Sequence, residues 1–228
     1  MSKQDRDKWN QRYAEDSYRK TNPVTLVSDW LPKIPVGRAL DVACGAGRNA
    51  ILLAQSGFEV DAIDISHEGL KRARQTAVEQ GLSINWIEHD LDEPYPFEPI
   101  YDLIIVMWYV DLELITHLCQ CLAPGGYLVC QEHLVTDQEA IGPTGTNFRV
   151  APGTLGEAVS GLDVLLYEES VETIPEGGQV ASARLVARKD QRKTTQLDNP
   201  DLNQNTNSFM MLYLMDKIPW LQQDQQET

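Results

Sequence analysis

Asp41, Asp64 and Asp90 are the residues of this 228-residue chain whose type and spacing first suggest chemistry. Each closes a short apolar run, in "RALDVAC", "VDAIDIS" and "INWIEHD". A carboxylate at the end of a buried strand attracts a cation, or accepts from hydroxyl and amino donors, in the crevice where open α/β sheets bind ligands. After the first of these acids comes "ACGAGRNA", a turn with Gly45 and Gly47. Glycines there let the backbone approach a ligand closely, at φ values other residues avoid.

The turn has three readings. A triphosphate loop needs GxxxxGK[ST], which the chain lacks. A dinucleotide fingerprint of the G-x-G-x-x-A kind fits Gly45, Gly47 and Ala50, with Asp64 at the right distance to take a ribose hydroxyl. The third is an S-adenosylmethionine site, and Asp41 favours it. A carboxylate beside a pyrophosphate is repelled, whereas one beside an ammonium and a sulfonium is attracted. Asp64 is then placed to chelate both ribose hydroxyls, and Asp90 to accept from the adenine amino group. An NAD(P)-dependent oxidoreductase and a catalytically silent S-adenosylmethionine-binding interaction module stay open as alternatives.

Alternating strand and helix signals must position these acids. "RALDVAC", "EVDAIDIS", "SINWIEHD", "YDLIIVMWYV" and "YLVCQEHL" read as five strands, the fourth apolar enough to be central. "NAILLAQSG" and "HEGLKRARQTAVEQG" read as helices between them, the second with Leu70, Ala73, Ala77 and Val78 as its apolar stripe. A further helix carries Ile115, Leu118, Cys119 and Leu122 and is stopped by "APGG". After a short helix in "GTLGEAVSGL", the segments "DVLLYEESV" and "VASARLVARK" are joined by a glycine turn and no helix, so they should pair antiparallel at an edge. The expected fold is α/β: a doubly wound, seven-stranded, mostly parallel sheet with a C-terminal antiparallel β-hairpin. The expected division is an N-terminal helical lid segment over residues 1–30, the sheet domain over 31–189, and a polar tail over 190–228 with an apolar run from Phe209 to Trp220.

Composition narrows the partners. The net charge is −15, and an acidic surface repels phosphate backbones, so neither nucleic acid nor an anionic membrane is an expected partner. "MSKQDRDKWNQRY" is polar, with no signal or membrane-spanning character. Cys44, Cys119, Cys121 and Cys130 lack CxxC spacing and read as free thiols of a reducing, cytoplasmic protein, monomer or homodimer. No cluster suggests a metal.

"LDVACGAGRNA", "VDAIDIS", "EHDL", "YDLIIVM" and "LAPGGYLV" together resemble the class I S-adenosylmethionine-dependent methyltransferases, over about residues 5 to 189. "WNQRY", "GRNA", and "QEHL" followed by "FRVAPGTL" are similar to the small bacterial tellurite-resistance and thiopurine-type members. The family's first glycine is Ala43 here. The resemblance implies a Rossmann-like fold and methyl transfer to a small-molecule acceptor of thiol, thiopurine-like or metalloid oxyanion type. It implies that Asp41, Ala43, Cys44, Gly45 and Gly47 wrap the methionine end, with Arg48 and Asn49 opening the next helix toward the ligand carboxylate. Asp64 and Ile65 would hold the ribose, Asp90 and Leu91 bracket the adenine, and Val106 and Met107 face the sulfonium. Trp9, Arg12 and Tyr13 resemble the family's lid, with Arg12 pairing the carboxylate. Around the acceptor the candidates are Trp108, Tyr109, Glu132, His133 and Arg149. Of these His133 would serve as base or orienter and Arg149 would attract an anion. His67, His89 and His117 read as structural or exposed. "EPYPF" lacks the form and position of the nucleic-acid aminomethylase motif, which agrees with the acidic charge.

Overall fold

The structure is a computed structural model that describes residues 3–15, 21–94, 97, 100–174 and 177–191. The tail from 192 onward, with its Phe209–Trp220 run, lies outside the described residues, as do Tyr95 and Pro96 of "EPYPF". Seven strands form one sheet, ordered β3-β2-β1-β4-β5-β7-β6. They are β1 (Arg38–Val42), β2 (Glu59–Asp64), β3 (Asn85–Glu88), β4 (Tyr101–Met107), β5 (Leu122–His133), β6 (Asp163–Thr173) and β7 (Gln179–Arg188). The first five pair in parallel, and β7 runs antiparallel to both β5 and β6. This is the expected doubly wound sheet with its antiparallel edge hairpin.

The helices are α1 (Lys3–Ala14), α2 (Thr25–Trp30), α3 (Arg48–Gln55), α4 (His67–Glu79), α5 (Leu112–Cys121) and α6 (Thr154–Ala158). The sheet separates two apolar clusters. One face packs Leu40, Val42, Ile104 and Val106 with Ile115 and Leu118 of α5. The other packs Ala39, Leu103 and Ile105 with Leu26 and Val27 of α2 and Leu53 of α3. Strand order reverses between the parallel neighbours β1 and β4, so the carboxyl ends of these two strands border the crevice of a switch point.

Three local expectations change. β5 begins at Leu122, so "LAPGG" belongs to the strand; Tyr101 pairs with Leu122, and a register shift follows before Leu103. A Cβ on Gly126 would stand 2.8 Å from the Tyr101 carbonyl, so a side chain there would block that pairing. In α4 the buried residues are Gly69, Leu70, Ala73 and Ala77, while Val78 is 77% exposed: the inward stripe is narrower than the periodicity suggested. Asp90 does not end a strand, because β3 stops at Glu88 and the His89 amide donates to the Asp64 carbonyl.

A polar knot links four strands at the opposite end from the crevice. Asp61 Oδ2 accepts from Arg38 Nη2 at 2.9 Å and from the Tyr101 hydroxyl at 2.9 Å, and its Oδ1 accepts from Asn85 Nδ2 at 2.7 Å. The four cysteines are free and buried. No helix among the described residues is long and apolar enough to cross a membrane.

Candidate active site

β1 delivers Asp41 into the core, where it is buried. The Ala50 amide donates to its carboxylate, but Oδ2 has no hydrogen-bond partner among the described residues. Burial pushes this carboxyl up to about 8, the Ala50 bond and Arg48 act the other way, and the Asp64 charge adds to the rise. Past Val42 the chain turns through Ala43 at φ 55, Gly45 at φ 58 and Gly47 at φ 77, all left-handed. Gly47 then starts α3, whose first turn is ordered by the Ile51 amide donating to the Gly47 carbonyl at 2.8 Å.

Asp64 holds this turn from the neighbouring strand. Its Oδ2 accepts from the Gly45 amide and its Oδ1 from the Ser66 amide, both at 2.7 Å. Burial raises this carboxyl, opposed by the Ser66, Gly45 and Ile65 amides. Asp64 is thus a brace of the glycine turn as well as a group at the crevice. Ser66 caps α4 by accepting from the Gly69 amide at 3.1 Å, and its hydroxyl donates to Asn10 Oδ1 at 2.9 Å. Asn10 also accepts from the Glu68 amide at 3.2 Å. α1 is thereby tied to the start of α4. Tyr13 places its hydroxyl against Gly45, where a Cβ would collide with it. Trp9 stacks on Tyr13 at 5.9 Å, the Arg12 guanidinium lies 5.1 Å from the Trp9 ring, and Lys8 Nζ is 5.9 Å from the Phe148 ring. α1 therefore bridges the glycine turn and the loop that follows β5.

The far wall comes from β4 and β5. Trp108 is left-handed at φ 65; its amide donates to the Gln131 carbonyl at 2.8 Å, and its ring lies 4.4 Å from that of His133. Burial raises the Tyr109 phenol, and the charges of Asp111, Asp90, Asp64 and Glu132 add to the rise. Glu132 is fully buried, which pushes its carboxyl well up; the Tyr109 amide and Cys130 Sγ, at 3.6 Å from Oε1, pull the other way.

Several predicted residues stand differently from expectation. Asn49 Oδ1 accepts from the Val24 amide at 2.9 Å, and Arg48 Nη1 donates to the Asn22 carbonyl at 3.2 Å, so both hold the segment before α2. The Val106 side chain is wholly within the core cluster, joined there by Leu91. Ile65 is buried, and so is the Cys44 thiol, raised well up mainly by burial. Asp90 accepts from the Asp92 amide at 3.1 Å in the turn after β3. Arg149 donates from Nε to the Pro143 carbonyl at 2.8 Å and from Nη1 to the Leu134 carbonyl at 2.9 Å. It clamps the loop after β5. Among the other histidines, His67 Nδ1 is 2.9 Å from Glu88 Oε2 and His89 Nε2 is 3.0 Å from the Glu93 carbonyl. Sequence reasoning missed Asn10 altogether and gave Glu132 no role. No group of three metal-capable side chains occurs among the described residues. A cavity of about 500 Å³ lined by Glu139, Ala140, Ile141, Gly178 and Gln179 shares no residue with the glycine turn.

Residues 39–126 match the methyltransferase domain family. Over that segment the chain resembles the class I S-adenosylmethionine-dependent methyltransferases. The ubiquinone biosynthesis O-methyltransferase of Xylella fastidiosa (strain 9a5c) is 33% identical over 129 residues, which is 53% of this chain and 52% of that protein. A putative methyltransferase of Bacillus subtilis (strain 168), YqeM, is 40% identical over 70 residues, 31% of this chain and 28% of that one. The chain spans about half the length, or less, of these curated relatives. Among solved structures, TehB from Haemophilus influenzae superposes with a TM-score of 0.61 at 22% identity, covering 81% of this chain and 67% of that one. The N-methyltransferase NodS from Bradyrhizobium japonicum, in complex with S-adenosyl-L-homocysteine, superposes at 0.62 with 19% identity, covering 81% and 97%. Both likenesses are of fold.

Proposed function

We propose that this chain transfers a methyl group from S-adenosylmethionine to a small-molecule acceptor. The observation that carries the reading is Asp41: a buried carboxyl with one unpartnered oxygen, beneath a turn left-handed at residues 43, 45 and 47. A cation above the turn would stabilise the ionised form of that carboxyl, and a pyrophosphate would be repelled by it. The donor set fits the cofactor. Asp41 would face its ammonium and sulfonium end, and the turn from Ala43 to Gly47, with Cys44 inside it, would contact the methionine portion through backbone. Asp64 and Asp90 would meet the ribose and adenine, with Ile65 and Leu91 as apolar flanks. Trp9, Arg12 and Tyr13 on α1 would cover it. Bound there, the cofactor supplies a methyl carbon already activated by sulfonium. The chain's task is to align the acceptor and exclude water.

For the acceptor we favour an uncharged aromatic hydroxyl or thiol over a metalloid oxyanion. The paired rings of Trp108 and His133 suit a flat molecule. Asp64, Asp90 and Asp111 set a negative field at the Tyr109 hydroxyl, and Arg149 spends Nε and Nη1 on backbone carbonyls. The O-methyltransferase named among the relatives supports the same choice. A hydroxyl acceptor needs its proton removed, and His133, packed on the Trp108 ring, is the candidate base.

Calorimetry with S-adenosylmethionine, S-adenosylhomocysteine and NAD tests the cofactor. The first two should bind and NAD should not; absence of heat with S-adenosylmethionine defeats the reading. A screen of phenols, thiols, amines and oxyanions with a labelled methyl donor tests the acceptor, with phenols or thiols expected to be labelled ahead of tellurite. Cofactor binding without transfer to any of them would instead favour a silent binding module.

A further inference from the structure

We propose that Glu132 is a positioning residue that fixes the Trp108–Tyr109 turn, and with it the acceptor-side wall of the site, an assignment that rests on the transfer function proposed above. Cys130 and Glu132 of β5 and Leu134 just past its end share one face. Cys130 and Leu134 belong to the core cluster on that face, with Ala181 and Ala183 of β7 also in it. A carboxyl at such a position is a departure from the pattern, because glutamate is almost never fully buried unless paired. What it offers is a link from β5 to the end of β4. Three consecutive β5 residues grip the turn: the Gln131 carbonyl accepts from the Trp108 amide, the Glu132 carboxyl accepts from the Tyr109 amide, and the His133 ring packs on the Trp108 ring.

The grip matters because the turn is strained. Trp108 sits at φ 65, a conformation that L residues avoid at a cost of about 1–2 kcal/mol, so it persists only where its neighbours hold it. The Trp108 amide and ring are held by residues on either side of Glu132. The Tyr109 amide is held by Glu132 itself. Its Oε2 has no partner among the described residues, so this carboxyl is retained at a desolvation cost for the bond from the Tyr109 amide and a weak one from Cys130 Sγ, 3.6 Å from Oε1. Removing the carboxyl alone leaves the Tyr109 amide without its acceptor, a loss of about 1–3 kcal/mol that relief of the unpartnered Oε2 partly offsets. Positioning is therefore read from rate and ring contact at temperatures well below the melt.

The test compares Glu132→Leu and Glu132→Gln with the unaltered protein. Glu132→Leu is expected to lose no more than about 1–3 kcal/mol of stability and to bind S-adenosylmethionine within about twofold of the unaltered protein. It should lose the upfield ring-current shift that Trp108 imposes on the His133 Cε1 proton in NMR, with the signal assigned by Trp108→Phe. With catechol as the acceptor probe, its kcat should fall about 10- to 100-fold at unchanged KM for the methyl donor, the size expected of a misplaced wall. Glu132→Gln keeps an oxygen for the Tyr109 amide and should restore both the shift and the rate to within about threefold. A Glu132→Leu protein that retains the His133 shift overturns the proposal, as does one that loses rate only in proportion to its stability. If Glu132→Leu fails to fold, the Tyr109 amide of the unaltered protein decides, because free hydrogen exchange there also overturns the proposal. If the unaltered protein fails to bind S-adenosylmethionine, the transfer function falls, while the NMR and exchange results still judge Glu132.

Discussion

Gly45 carries two demands that one residue type meets. Its φ of 58 excludes a comfortable side chain, and the Tyr13 hydroxyl occupies the place a Cβ would take. Gly45→Ala should cost about 1–2 kcal/mol from the backbone alone and also push Tyr13 off the turn. A lowered melting temperature, together with weaker S-adenosylmethionine binding in calorimetry, is the expected outcome. Asp41 and Glu132 are the other exceptional residues, two carboxyls in places where burial favours the neutral form. Part of this was legible in the chain: "LDVACGAG" names the acid and the turn because strand, turn and helix start are local features. Glu132 was legible as a candidate near the acceptor at the end of "YLVCQEHL", but its contact with the Tyr109 amide lies 23 residues back along the chain.

Two contacts between elements deserve a direct test. α1 reaches α4 through Asn10, which accepts from both the Ser66 hydroxyl and the Glu68 amide. Asn10→Ala should cost about 1 kcal/mol and speed hydrogen exchange across α1 while leaving the sheet protected. Equal exchange in both proteins would show that α1 is held by other contacts. At the opposite end of the sheet, Asp61 joins β1, β2, β3 and β4. Asp61→Ala should cost about 2–3 kcal/mol, because the buried Tyr101 hydroxyl loses its acceptor. Donor affinity should stay unchanged, since the knot is remote from the crevice, and denaturant melts with parallel calorimetry check both. The alternation of strand and helix predicted the order of these elements. It did not predict that Asp61 would gather three partners, because those partners lie on other strands.

The whole molecule should respond to pH in a definite direction. Asp41 is raised to about 8 from an ordinary value near 3.8, so between those limits the folded protein holds a proton that the unfolded chain has released. Stability from this group is present at the acid end and is lost as pH rises through about 8. Glu132 and Asp64 are shifted in the same direction, also by burial. The ligand-free protein should therefore unfold at a lower temperature at pH 8 than at pH 6. Asp41→Asn should flatten that slope while preserving the fold, and should weaken S-adenosylmethionine binding because the amide cannot ionise. A slope unchanged by Asp41→Asn would mean that this carboxyl is already ionised in the folded state.

The sequence by itself determined the class of the fold, the antiparallel hairpin at one edge of the sheet, and the turn that ends β1. Periodicity and turn chemistry are short-range properties, written wherever the residues stand. Tertiary structure alone decided which polar groups meet. It turned Arg149 from an expected anion anchor into a clamp on two carbonyls, gave Asp64 the amide of Gly45, set Tyr13 over that glycine, and faced Glu132 toward Tyr109. Hydrogen-bond partners separated by many residues are chosen by packing geometry to within a fraction of an ångström, and no local pattern in the chain encodes that choice.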